Sequence, residues 1–144
     1  QLHLIGRLQT NKVKFALKIF DYIHSLDSEK LATKIAKEQE KQRKKPKIFI
    51  QVNMGNEDQK SGIDQRNLND FYKFCKNLNL DIIGTMCIPP NDDNTEKYFS
   101  EMNEINKKLN FKELSMGMSG DYLEAIRHNA TYVRVGSKIF GSRD

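Results

Sequence analysis

Two short stretches carry the residue types that could do chemistry: Ser115-Met116-Gly117-Met118-Ser119-Gly120-Asp121 and Arg134-Val135-Gly136-Ser137. Each follows an apolar or β-branched run, Phe111 to Met116 in the first case and Thr131 to Val135 in the second. Each then turns through Gly and Ser. The first turn leads into Tyr122-Leu123-Glu124-Ala125-Ile126, a helical pattern that Asp121 or Ser119 is placed to cap. A strand end, a small-residue turn and a helix start expose several backbone N–H groups on one spot, which attracts a phosphate. Two such turns on neighbouring strands can hold one phosphate between them. Taken alone, either turn reads more simply as an ordinary strand-to-helix connection, with Gly for positive φ and Ser as a cap.

Arg134 separates the two readings. Alternation along Thr131-Tyr132-Val133-Arg134-Val135 puts Arg134 on the face opposite Val133 and Val135. A guanidinium in a core strand keeps its proton and needs an acceptor. A lone Arg would find one in a structural salt bridge. An Arg two residues before a phosphate-type turn also suits a ligand with a phosphate and a ring-nitrogen acceptor. Asn53 ends the most apolar strand pattern, and is either a turn residue or a polar group where ligands bind in parallel sheets. His3 and His24 read as strand-packing histidines, Asp27 as a helix cap, and Lys60-Ser61-Gly62 as an exposed loop.

The elements that must position these groups alternate. Strand patterns fall at Leu2–Gly6, Tyr22–Leu26, Lys47–Asn53 and Leu80–Ile88, and before each Gly/Ser turn. Helical patterns fall between them, with apolar positions at Val13, Leu17 and Phe20, at Leu31, Ile35 and Ala36, at Leu68, Phe71, Tyr72 and Cys75, and at Tyr98, Phe99, Met102, Ile105 and Leu109. About six strands and five helices in β-α order imply parallel strands joined by right-handed crossovers. Either an open doubly wound sheet or a (β/α)8 barrel lacking part of itself meets that pattern. No G-x-G-x-x-G follows the first strand, which weakens dinucleotide binding. No hinge-like linker divides residues 1–144, so they form a single partial domain.

Composition narrows the classes. The 144 residues are 38% hydrophobic and 30% charged, with no apolar run long enough for a membrane helix. The net charge of +5 is concentrated between Lys34 and Lys47, where Glu interleaves and no aromatic residue offers base stacking before Phe49, so nucleic acid is disfavoured. Cys75 and Cys87 lack metal-ligand spacing and read as free thiols of a reducing, cytoplasmic compartment. No hydrolase triad, zincin motif or Walker lysine is present.

The motifs in order resemble one family. His3-Leu4-Ile5-Gly6-Arg7-Leu8-Gln9-Thr10-Asn11-Lys12, Gln51-Val52-Asn53, Lys60-Ser61-Gly62-Ile63, Gly84-Thr85-Met86-Cys87-Ile88-Pro89, Leu114 to Ser119 and Val133 to Gly141 are similar to the pyridoxal phosphate homeostasis proteins. These share the barrel of the alanine racemase N-terminal domain. The resemblance implies a (β/α)8 barrel with pyridoxal 5′-phosphate at its C-terminal mouth. Ser119, Gly136 and Ser137 would hold the phosphate and Arg134 would face the pyridine nitrogen. Asn53 and His3 would lie near the cofactor, with Met118 packed beside it. The family's cofactor-bearing (Schiff-base) lysine lies on its first strand, and this chain starts at what corresponds to the third. The expectation is therefore a piece holding strands 3 to 8, without that lysine and with two raw sheet edges. A permanent cation beside the ring nitrogen disfavours pyridinium, which weakens the electron sink and suits carriage over amino-acid chemistry. The function implied is vitamin B6 and amino-acid homeostasis without turnover, in a full-length protein that is a monomer or weak dimer. A racemase-like enzyme is the alternative.

Overall fold

The computed structural model describes residues 1–55, 58 and 61–142. Its strands are β1 (His3–Leu4), β2 (Tyr22–Leu26), β3 (Lys47–Asn53), β4 (Ile63–Asp64), β5 (Asp81–Met86), β6 (Glu113–Met118) and β7 (Tyr132–Arg134). The helices are α1 (Val13–Ile19), α2 (Glu29–Gln42), α3 (Leu68–Asn77), α4 (Thr95–Lys108), α5 (Tyr122–Arg127) and α6 (Ser137–Phe140). The main sheet runs β1-β2-β3-β5-β6-β7, every pair parallel, and the two-residue β4 attaches to the end of β3. Sequential order and parallel pairing put a helix after each main strand and bring all the strand C-termini to one end of the sheet.

The sheet curls rather than lying open. His3 and Tyr22, near one end of the strand order, reach Tyr132 at the other, with ring centroids 5.7 and 5.9 Å apart. This is a partial (β/α) barrel, and the doubly wound alternative is excluded by those contacts. Two apolar sets result. Val13, Leu17, Leu31, Ile35, Phe71, Phe99 and Met102 bury the helices against the outside of the sheet. Tyr22, Phe49 and Met86 fill the inside with Ile83 and Tyr132. The middle of β3 is buried on both faces, as its near-continuous apolar sequence requires.

Local chemistry sets the turns. Ser28 caps α2 by accepting from Leu31 N–H at 3.2 Å. Asp27, expected as the cap, instead accepts from Gly62 N–H at 3.1 Å and ties the loop after β3 to the end of β2. Asp121 stands at the N-cap of α5, yet neither it nor Ser119 caps the helix. The Asp121 carboxylate turns back to Met118 N–H at 2.6 Å, and the Ser119 hydroxyl faces the neighbouring turn. Gly117 cannot be exchanged: its φ is +98°, and a Cβ would stand 2.6 Å from that of Ala125.

Candidate functional site

The two Gly/Ser turns meet because β6 and β7 are neighbours, with Met118 in register with Arg134. Ser119 Oγ accepts from Gly136 N–H at 3.1 Å and from Lys138 N–H at 3.2 Å. Two backbone donors therefore converge on one oxygen, with Gly136 open to solvent and no atom within 4 Å of where a Cβ would sit. Ser137 is exposed between those donors, and Met118 is 46% exposed at the rim. Ile88, Pro89, Met118, Asp121 and Arg134 line a cleft of about 250 Å³ at the C-terminal ends of β5 to β7. A neighbouring hollow of about 530 Å³ carries Ser119, Gly120 and Lys138 on its walls.

Arg134 projects inward as alternation requires. Its Nη1 donates to Ser115 Oγ at 2.8 Å and to the Ser115 carbonyl at 3.3 Å. Its Nη2 donates to the Cys87 carbonyl at 2.9 Å. None of the ion pairs among the described residues involves it, so the salt-bridge alternative does not hold. Its Nε is buried with no hydrogen-bond partner. Burial lowers the pKa of this guanidinium, and no carboxylate touches it. A buried donor left over on a cation is costly, so an acceptor brought within its reach would be bound favourably. Arg134 Nε and the paired N–H groups on Ser119 suit a molecule that carries both a ring nitrogen and a phosphate.

The chain matches the model of the alanine racemase N-terminal domain over residues 1–144. It belongs to the alanine racemase N-terminal domain family. Within that family it is 39% identical to the pyridoxal phosphate homeostasis protein of Aquifex aeolicus, over 98% of this chain and 66% of that protein. It is 37% identical to the protein of the same name from Pasteurella multocida, over 99% of this chain and 66% of that protein. PipY of Synechococcus elongatus, solved with PLP bound, superposes with a TM-score of 0.89 at 33% identity, over 96% of this chain and 69% of that one. The chain thus spans about two thirds of the length of these relatives (66% of each homeostasis protein).

The remaining expected site residues stand in different settings. Asn53, half-buried, ends β3 at the same end of the sheet as the cleft. His3 starts β1, in register with Tyr22 at the start of β2, and stacks on the Tyr22 ring at 4.0 Å. It connects to Arg134 through His24 and Ser115. Of Lys60-Ser61-Gly62, Lys60 lies outside the described residues and Ser61 is exposed. Both thiols are buried, and burial pushes each up to about 12, so neither is a nucleophile at neutral pH. No helix among the described residues is long and apolar enough to cross a membrane.

Sequence reasoning missed Ser115, the hub of the Arg134 contacts, and gave His24 only a packing role. The signal was there in alternation: Ser115 is the polar residue between outward Leu114 and Met116, on the face that β7 gives to Tyr132 and Arg134. The Cys87 carbonyl left no signal, since any residue type supplies one.

Proposed function

We propose that this chain binds pyridoxal 5′-phosphate at the C-terminal ends of β6 and β7 and serves vitamin B6 and amino-acid homeostasis without turnover of its own. The observation that carries the reading is the buried, unpartnered Nε of Arg134 beside two backbone donors converging on Ser119. Ser119, Gly136 and Ser137 would hold the phosphate, Arg134 the ring nitrogen, and Met118 and Asn53 the surroundings, while His3, at the start of β1, would act at a distance through His24 and Ser115. The cofactor supplies an electron-withdrawing ring for amino-acid chemistry. Arg134 works against that use, because a fixed cation keeps a proton off the ring nitrogen. The names of the relatives and the PLP held by PipY support the reading. The two free, buried thiols suit action in the cytoplasm.

Calorimetric titration with pyridoxal 5′-phosphate, and with pyridoxal as the phosphate-free control for reaction at surface lysines, tests this. The phosphate ester binds more tightly. Arg134→Ala weakens its binding about ten- to a hundredfold, as loss of a charged hydrogen bond does, and Ser119→Ala weakens it several-fold. Equal binding of both compounds, with no effect of Arg134→Ala, returns the two turns to ordinary connections.

A further inference from the structure

A line of hydrogen bonds runs through the barrel interior and ends on Arg134. His3 Nδ1 lies 3.0 Å from His24 Nε2, and His24 Nδ1 lies 2.8 Å from Ser115 Oγ. The same Ser115 oxygen takes the 2.8 Å bond from Arg134 Nη1. Counting donors fixes the direction of each bond. Arg only donates, so Ser115 Oγ accepts from it and keeps its own hydrogen. Ser115 is fully buried, and the acceptor within reach of that hydrogen is His24 Nδ1. His24 then carries its proton on Nε2 and donates to His3 Nδ1. A neutral His24 is required, and burial supplies it, with the nearby charges of His3 and Arg134 adding to the effect.

We propose that His24 and Ser115 are positioning residues for Arg134, holding its guanidinium by Nη1 so that Nε remains the donor left for a ligand's ring nitrogen. The proposal rests on the ligand reading above. A neutral relay has a physical advantage over a carboxylate in the same place. An acid would draw the guanidinium into an ion pair and cancel its field at the ring nitrogen. An imidazole acting through a hydroxyl fixes the geometry and leaves the positive charge intact. The groups around the relay fit this: Phe49 stacks on His24 at 4.3 Å and Tyr132 meets it edge-on at 5.9 Å, so the line is walled by rings.

Two probes without an aldehyde test it: 4′-deoxypyridoxine 5′-phosphate and its 1-deaza analogue, which has CH in place of the ring nitrogen. The ratio of their dissociation constants reads the ring-nitrogen contact alone. The unaltered chain favours the pyridine, and Arg134→Ala removes the preference. Ser115→Ala and His24→Phe each cut it about three- to tenfold, the size of one hydrogen bond, while losing less affinity for the deaza analogue. Ser115→Thr, which keeps the hydroxyl, restores the preference. Nitrogen-15 shifts of His24 in the unaltered chain show a protonated Nε2 and an unprotonated Nδ1. A preference that survives Ser115→Ala and His24→Phe but not Arg134→Ala refutes the positioning role and leaves the ligand reading standing. Equal losses for both probes, or a protonated Nδ1 on His24, also refute it. If the unaltered chain binds neither probe, or does not distinguish them, the ligand reading itself fails and the proposal with it.

Discussion

His24 is 2% exposed and faces a permanent cation, so a second charge there is expensive, and its pKa falls from 6.5 to about 4. The groups facing it are His3 from β1, the Tyr22 ring from its own strand β2, Arg134 and Tyr132 from β7, Ser115 from β6 and the Phe49 ring from β3. None is an anion that would rescue the protonated form. Between those two pKa values the unfolded chain binds more protons than the folded one, so stability rises with pH across the window and is lost as pH falls from 6.5 towards 4. One proton gives a slope of at most about 1.4 kcal/mol per pH unit. Urea midpoints between pH 4 and 7 check this, and His24→Gln flattens the slope. Asp64, held near 2 by Arg66, titrates below the window, while His3, also lowered by burial, adds a slope of the same sign that remains in the variant. A His24→Gln variant as steep as the original assigns the slope to other groups. At this scale the sequence made Arg134, Ser119 and Gly136 legible, since alternation and a Gly/Ser turn are local signals. The partners of Arg134 come from β6 and from the residue after β5, 19 and 47 residues away, and no local pattern pairs them.

Elements are locked to one another by buried polar groups as much as by the apolar layer. Asn106 on α4 is the clearest case. Its Oδ1 accepts from the N–H and hydroxyl of Thr85 on β5 at 3.2 and 2.8 Å. Its Nδ2 donates to the carbonyls of Phe111 and Glu113 at 3.3 and 3.1 Å, fixing the approach to β6. Asn106→Ala leaves several buried groups unsatisfied and is expected to cost about 2–4 kcal/mol in denaturant unfolding. A loss below about 1 kcal/mol would mean that water replaces the amide. Beside it, Gly84 lets β5 and β6 close up, because a Cβ there would overlap the Glu113 carbonyl oxygen. Gly84→Ala is expected to cost at least the 1–3 kcal/mol typical of overpacking, roughly, or to shift the β5–β6 register. An unchanged denaturation midpoint would show that the strands separate freely. The strong periodic elements were legible: Tyr22–Leu26 and Lys47–Asn53 form where their patterns put them. The elements missed were β4 and α6, of two and four residues, too short for any period to register. Their existence depends on pairing with β3 and on the turn after β7.

At the scale of the whole molecule, the strand order ends at β1 on one side and β7 on the other. Beside β1, Leu2, Phe15 and Ile19 are each more than half exposed, and a hollow of about 340 Å³ runs between Leu4, Leu8, Phe15 and Phe20. Beside β7, Ile126, Ile139 and Phe140 are 50%, 68% and 86% exposed. A curled sheet with an open, apolar edge at each end invites further strands or another chain. The sequence foretold these raw edges through its family resemblance, which implied strands 3 to 8 of an eight-stranded barrel. The chain is expected to self-associate at micromolar concentration, read by sedimentation velocity. Its +5 charge opposes that contact, so association should strengthen as salt rises from about 0.01 to 0.15 M and the screening length falls from about 30 to 8 Å. Phe15→Glu combined with Phe140→Asp places a charge on each apolar edge and should return the chain to monomer. A chain that stays monomeric at every salt concentration would show that the edges are blunted by their own twist and shortness. Association that ignores both substitutions would move the contact to another face.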